Sequence, residues 1–319
     1  MSSPSLSPPA SAADAQLRRR ILSGYLLLLL AVLLWSGNSI VGRASADENI
    51  PPMGLNFWRW TTAFLLFVTI FGRATWRQRH EILAHWKFIV PFALVSIVGF
   101  NVTFYMALQR TTALQASLIQ SILPVLVLLY GLVLLRERIT GRQWWGVLFS
   151  IAGAGLIVVR GEMAVLRTLT LNDGDVWALG AVFLWGWQAF LMRWKPKSIG
   201  IMPFMTTISF VGVLAMAPLY AWETATVRAM PLNETSVLFV LYVGVMAGFF
   251  GTSFWNEGTY RAGSAQAGYF GNMYPIFAGI LAILILGEEP RWYHFAGAAS
   301  VIVGIWLATA QHARRAGQA

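Results

Sequence analysis

Amide, hydroxyl and aromatic side chains recur at helical spacing inside stretches of this sequence that are otherwise apolar. Trp35, Asn38 and Ser39 fall on one helical face. So do Asn101 and Tyr105, Trp185 and Gln188, Thr252, Trp255 and Asn256, and Gln266, Tyr269 and Asn272, because residues three or four apart are neighbours on a helix. Gln120 and Ser121 stand about one turn ahead of Pro124. These groups supply dipoles and ring faces with scarcely any full charge, which is the chemistry of holding a small polar molecule. Bond cleavage would need a nucleophile with its base, an acidic pair or a metal set. None is legible, so the chain does not read as an enzyme. Singly, such residues also bridge neighbouring helices, at about 0.6 kcal/mol each. Spread over six helices, they point to one central pocket.

Two prolines mark the middle of that region. Pro124 and Pro275 each stand about halfway along an apolar stretch. A helix proline cannot bond the carbonyl four residues earlier, so the carbonyls of Gln120 and Gly271 are freed. Inside a bilayer such groups must be satisfied by protein or face a wet cavity, which makes each proline either a packing kink or part of a pocket wall. Arg59, between Trp58 and Trp60 and about two turns from a helix end, also has two readings. It either snorkels to the headgroups or contacts substrate or a gate. Glu257 either forms an i,i+4 pair with Arg261 or serves as a protonatable coupling group or gate. No basic residue is expected near the midplane. His80, His85, His294 and His312 lie outside the expected membrane core without metal-ligand spacing, so they are expected to be solvated. Neither a metal nor a cofactor is expected.

The elements that position these residues follow from composition. Of 319 residues, 57% are hydrophobic and 11% charged, too little polar surface for a soluble protein of this length. The chain is therefore expected to be integral to a membrane, with the bilayer as its partner. Its net charge of +10 sits in short clusters between apolar stretches and forms no nucleic-acid reading module. With no cysteine, disulfides, thiol catalysis and thiolate metal sites are excluded.

A hydrocarbon core of about 30 Å takes roughly 20 apolar residues per helix. Ten stretches qualify, near 22–43, 53–72, 86–108, 114–135, 142–160, 174–192, 201–222, 236–260, 266–286 and 292–311. Residues 1–17 are expected to form a disordered cytoplasmic tail, 18–160 a first five-helix repeat, 161–173 an extracytoplasmic linker, 174–311 a second repeat and 312–319 a cytoplasmic tail. Ala44, Ser45 and Ala46 imitate a signal-peptidase site. The stretch before them, Ile21 to Val41, exceeds the usual signal core of about 7–15 residues, so it is expected to remain as a helix.

The repeat is visible directly. Shifted by 151 positions, Gln115 falls on Gln266, Ala116 on Ala267, Pro124 on Pro275, Glu137 on Glu288, Gly146 on Gly297 and Gly153 on Gly304. The first helices correspond at 150, Trp35 matching Trp185 and Arg43 matching Arg193. Five helices is an odd number, so the second copy crosses the membrane in the opposite sense. The expected fold class is all-α and integral to the membrane, with ten transmembrane helices arranged as two inverted five-helix repeats. A duplicated intramembrane proline site is the mark of a secondary transporter. Gly146, Gly153, Gly155, Gly297 and Gly304 read as close-approach positions for helices, since no Walker-type loop surrounds them. With the N-terminus cytoplasmic, 16 Lys and Arg residues fall on the inside and six on the outside, which favours cytoplasmic N- and C-termini.

These residues carry a resemblance to the drug/metabolite transporter superfamily, specifically its EamA-type ten-helix members. The matching pieces are Asn56 to Trp60, Ala113 to Pro124 through Glu137, Gln143 to Gly146 with Gly153, and then Gly263 to Ala267, Pro275, Glu288, Gly297 and Gly304. Within it the chain looks most like exporters of aromatic and other neutral amino acids. The resemblance implies export of an amino-acid-like small molecule by alternating access across a bacterial-type cytoplasmic (inner) membrane. Its alternative is another small-metabolite or drug carrier of the superfamily, including carriers of nucleotide sugars or sugar phosphates. The sequence leaves the oligomeric state open, and a monomer would suffice.

Overall fold

The computed structural model describes residues 12–162 and 172–316, and every regular element among them is helical. In chain order the long helical runs are α1 (Ala12–Asp47), α2 (Pro52–Arg77), α3 (Trp86–Leu108), α4 (Ala113–Leu135), α5 (Gly141–Val158), α6 (Asp173–Trp194), α7 (Ile201–Thr226), α8 (Glu234–Ala262), α9 (Gln266–Leu286) and α10 (Trp292–Ala316), with a short helix Arg79–Ala84 between α2 and α3. Among the described residues, α1, α3, α4, α6, α7, α8 and α9 are long and apolar enough to cross a membrane. Arg59 and three tryptophans dilute α2, and α5 opens on the polar Arg142 and Gln143. The chain is an integral membrane protein. Residues 12–17, placed by sequence in the tail, continue α1 as helix. Residues 1–11, the linker at 163–171 and residues 317–319 lie outside the described residues.

Polar side chains at the helix starts answer the backbone N–H groups that no helix can satisfy internally. Thr112 caps α4, Thr140 and Gln143 form a capping box on α5, and Asn172 and Asn233 cap α6 and α8. Helices α2 and α7 cap one another. Glu223, buried near the end of α7, accepts from Met53 N at 3.2 Å and Gly54 N at 2.8 Å. At the opposite end Gln78 Oε1 accepts from Gly200 N at 2.8 Å.

Backbone irregularities recur in matched places. The third helix of each half carries a π-helical stretch, Leu94–Gly99 in α3 and Tyr242–Gly251 in α8, and the 151-residue shift maps the first inside the second. The fourth helix of each half is broken. Regular helix stops at Gln120 in α4 and resumes at Leu123, and it stops at Gly271 in α9 and resumes at Tyr274. Pro124 and Pro275 lie in the first turn after each break, where a missing N–H costs nothing. Both helices end on a left-handed residue, Arg136 at φ 54° and Gly287 at φ 66°. Helices α5 and α10 cross through glycines at 146, 153, 297 and 304, the close approach that sequence assigned to them.

Candidate substrate site

Arg59 turns into the protein. Its residue exposure is 6%, against the snorkelling reading. Nη1 donates to Asn101 Oδ1 at 2.7 Å and to the Tyr105 hydroxyl at 3.2 Å, and the Tyr105 hydroxyl donates to Asn38 Oδ1 at 2.6 Å. The guanidinium lies 5.4 Å from the Trp60 ring centre and 5.9 Å from that of Tyr105. Among the described residues no carboxylate approaches it within 4.0 Å, and Nε has no hydrogen-bond partner. Three of the expected site residues, from α1 and α3, thus converge on a charge from α2.

Beside this cluster Ser39 shares a 2.5 Å hydrogen bond with the Tyr274 hydroxyl, and Ser36 donates to the Tyr274 carbonyl at 3.4 Å. The Trp185 ring meets Tyr274 edge-on at 5.9 Å and stacks on Phe100 at 5.5 Å. Trp35 packs against Trp255 at 5.1 Å.

The π-helical stretches explain how two of these side chains are held. A π-turn shifts the backbone out of i→i−4 register and frees carbonyls. The Ser96 carbonyl accepts from Asn101 Nδ2 at 2.8 Å, and the Ala247 carbonyl accepts from Trp35 Nε1 at 3.2 Å. Residues 96 and 247 are repeat equivalents. At the break in α4, Gln120 is 2% exposed and neither its amide oxygen nor its nitrogen has a partner. Gln188 Oε1 on α6 is likewise buried and unpartnered.

Other expected site residues are not drawn in. Tyr269 is 52% exposed, Asn272 is half-buried, and Ser121 and Asn256 bond only to carbonyls of their own helices. Glu257 accepts from Arg261 Nε at 2.7 Å with both side chains partly exposed, the geometry of the structural pair. Both line a cleft of about 510 Å³ with Ser23, Phe71, Met202 and Phe254.

Some polar residues were misjudged or missed. His294, expected in solvent, is 6% exposed and bonds to Gln115 Oε1 at 3.0 Å and to Arg291 N at 2.9 Å. Asp175 is fully buried, accepting from Thr111 at 2.7 Å and pairing with Arg160 at 3.6 Å. Tyr274 could have been found as the aromatic neighbour of Pro275.

The two ends of the bundle differ. Every residue of Ala113–Gln120 in α4 is buried, and Glu288 accepts from Ala113 N at 2.7 Å and Leu114 N at 2.8 Å. In the matching segment of α9, Gly268 and Tyr269 are exposed, and Glu137, the counterpart of Glu288, is exposed and accepts from Arg193 at 2.9 Å. The helix start is buried and capped at the Glu288 end, and its counterpart is partly exposed at the Glu137 end.

The EamA-like transporter family matches the chain twice, over residues 22–159 and 172–310. The chain is 26% identical to an "Uncharacterized transporter" of Archaeoglobus fulgidus, covering 90% of this chain and 97% of that protein. It is 21% identical to the "Probable amino-acid metabolite efflux pump" of Escherichia coli, over 88% and 93%. One solved crystal structure superposes with a TM-score of 0.61 at 18% identity, over 92% of this chain and 98% of that one, a likeness of fold.

Proposed function

This chain belongs to the EamA-like transporter family, and on that premise we propose that it exports neutral amino acids, aromatic ones foremost, across the inner membrane by alternating access. Cytoplasmic termini and ten membrane passes complete the reading. One observation carries it: α4 and α9 break at matched prolines, and at the α4 break the buried Gln120 amide has no protein partner. An unsatisfied buried amide is costly, and in a transporter of inverted repeats the substrate binds where broken helices meet at mid-membrane. Trp35, Trp185, Trp255 and Tyr274 offer ring faces suited to an apolar side chain. The outward direction rests on the efflux name of the Escherichia coli relative.

Liposomes containing the purified chain are expected to take up labelled phenylalanine, methionine or threonine down a gradient faster than empty liposomes. Sugar-phosphate flux with no amino-acid flux at any gradient would place the protein in the other branch of the superfamily.

A further inference from the structure

We propose that Arg59 receives the carboxylate of the substrate, so that the molecules carried are small amphiphiles with a free carboxylate. This rests on the transport reading and deepens it.

An ion removed from water needs a counter-charge or dense hydrogen bonding, and the penalty is several kcal/mol when neither is complete. The hydrogen-bond partners of Arg59, Asn101 and Tyr105, are neutral. Its Nε is buried and idle, and no carboxylate of the described residues is within 4.0 Å. A guanidinium is a planar fork matched to the two oxygens of a carboxylate. The protein therefore supplies half of an ion pair.

The surroundings select among anions. One cation balances one carboxylate. A phosphate monoester carries nearly two negative charges at neutral pH, and a diphosphate sugar also carries two, so either would bring an unpaired charge indoors. The rings of Trp60 and Tyr105 beside the guanidinium, with Trp185 and Tyr274 farther along, suit an apolar substituent.

The test is binding to the full chain purified in detergent, read by tryptophan fluorescence, with flux in liposomes measured alongside. The probes are L-phenylalanine, 3-phenylpropionate, which lacks the ammonium, and phenethylamine, which lacks the carboxylate. In the wild type, phenylalanine and phenylpropionate are expected to bind at least about tenfold more tightly than phenethylamine, the order of one charge-assisted hydrogen bond. Arg59→Gln is expected to lower the phenylalanine-to-phenethylamine preference about tenfold, and Arg59→Lys to restore part of it. Equal binding of all three probes, binding of none, or a preference that survives Arg59→Gln would overturn the assignment. Should Arg59→Gln fail to fold, the wild-type series decides. Carboxylate-dependent binding without flux would leave Arg59 as the receptor and remove the transport reading. Flux indifferent to the carboxylate would do the reverse.

Discussion

Gly153 of α5 and Gly297 of α10 lie back to back: a methyl on Gly153 would stand 2.6 Å from the Gly297 carbonyl oxygen, and one on Gly297 would stand 2.8 Å from that of Gly153. A methyl on Gly304 would likewise stand 2.6 Å from the Gly146 carbonyl oxygen. Moving the members of the first pair by 151 residues in opposite directions produces the second. The crossing is symmetric within itself, as an inverted duplication requires.

The obstruction there is backbone and cannot rotate away. Gly153→Ala or Gly297→Ala is expected to destabilise the folded protein by about 1–3 kcal/mol. Gly155→Ala, whose methyl meets nothing within 4 Å, should stay within about 0.5 kcal/mol of wild type. Thermal unfolding in detergent micelles compares them, and equal midpoints for Gly153→Ala and Gly155→Ala would contradict the packing account.

Pro124→Ala and Pro275→Ala each return an N–H able to bond the freed carbonyl of Gln120 or Gly271 and draw the broken helix straight. Amino-acid flux is expected to fall by about an order of magnitude while the yield of folded protein falls less, since the change trims only the ring of the half-buried Pro124 or the buried Pro275, at about 0.8 kcal/mol per buried methylene. Flux per folded molecule is the measurement. Unaltered flux in both variants would reduce the breaks to packing features.

Glu257 and Arg261 have side chains 42% and 37% exposed, and such i,i+4 pairs contribute about 0.2–0.5 kcal/mol. Glu257→Gln should therefore leave both stability and pH-driven accumulation unchanged. Accumulation lost with exchange retained would instead identify Glu257 as a coupling group.

A cysteine placed at Lys195 in this cysteine-free chain is expected to resist impermeant thiol reagents in intact cells, and one at Glu289 to react. Glu289 lies beside the Glu288 end, with its side chain 77% exposed, and the Lys and Arg distribution puts that end outside. The opposite pattern would invert the orientation.

The extent of some helices was legible in the sequence, whereas direction around a helix was not. The bounds of α3 and α9 match the expected stretches because hydrophobic length is a local property. Arg59 was placed two turns from a helix end, yet which of Trp58, Arg59 and Trp60 faces inward is set by Asn101 and Tyr105, 42 and 46 residues away. Trp58 is the one left exposed. His294 was misjudged and Asp175 missed for the same reason: each sits near a helix end, where depth suggests water, and is buried by Gln115 and Thr111 at the start of another helix. The π-helical stretches have no periodic signature. Only the prolines announced a backbone break in advance, because their effect on the helix is covalent.

Glu288 and Glu137 are the same residue written twice, one seated on the first turn of α4 and the other turned toward Arg193. Unseating Glu288 forfeits two charge-assisted hydrogen bonds, and seating Glu137 on the start of α9 would recover two of the same kind. In the alternating-access reading proposed above, exchanging the two seats would trade like contacts for like, so that duplication would let each state be assembled from the other's parts.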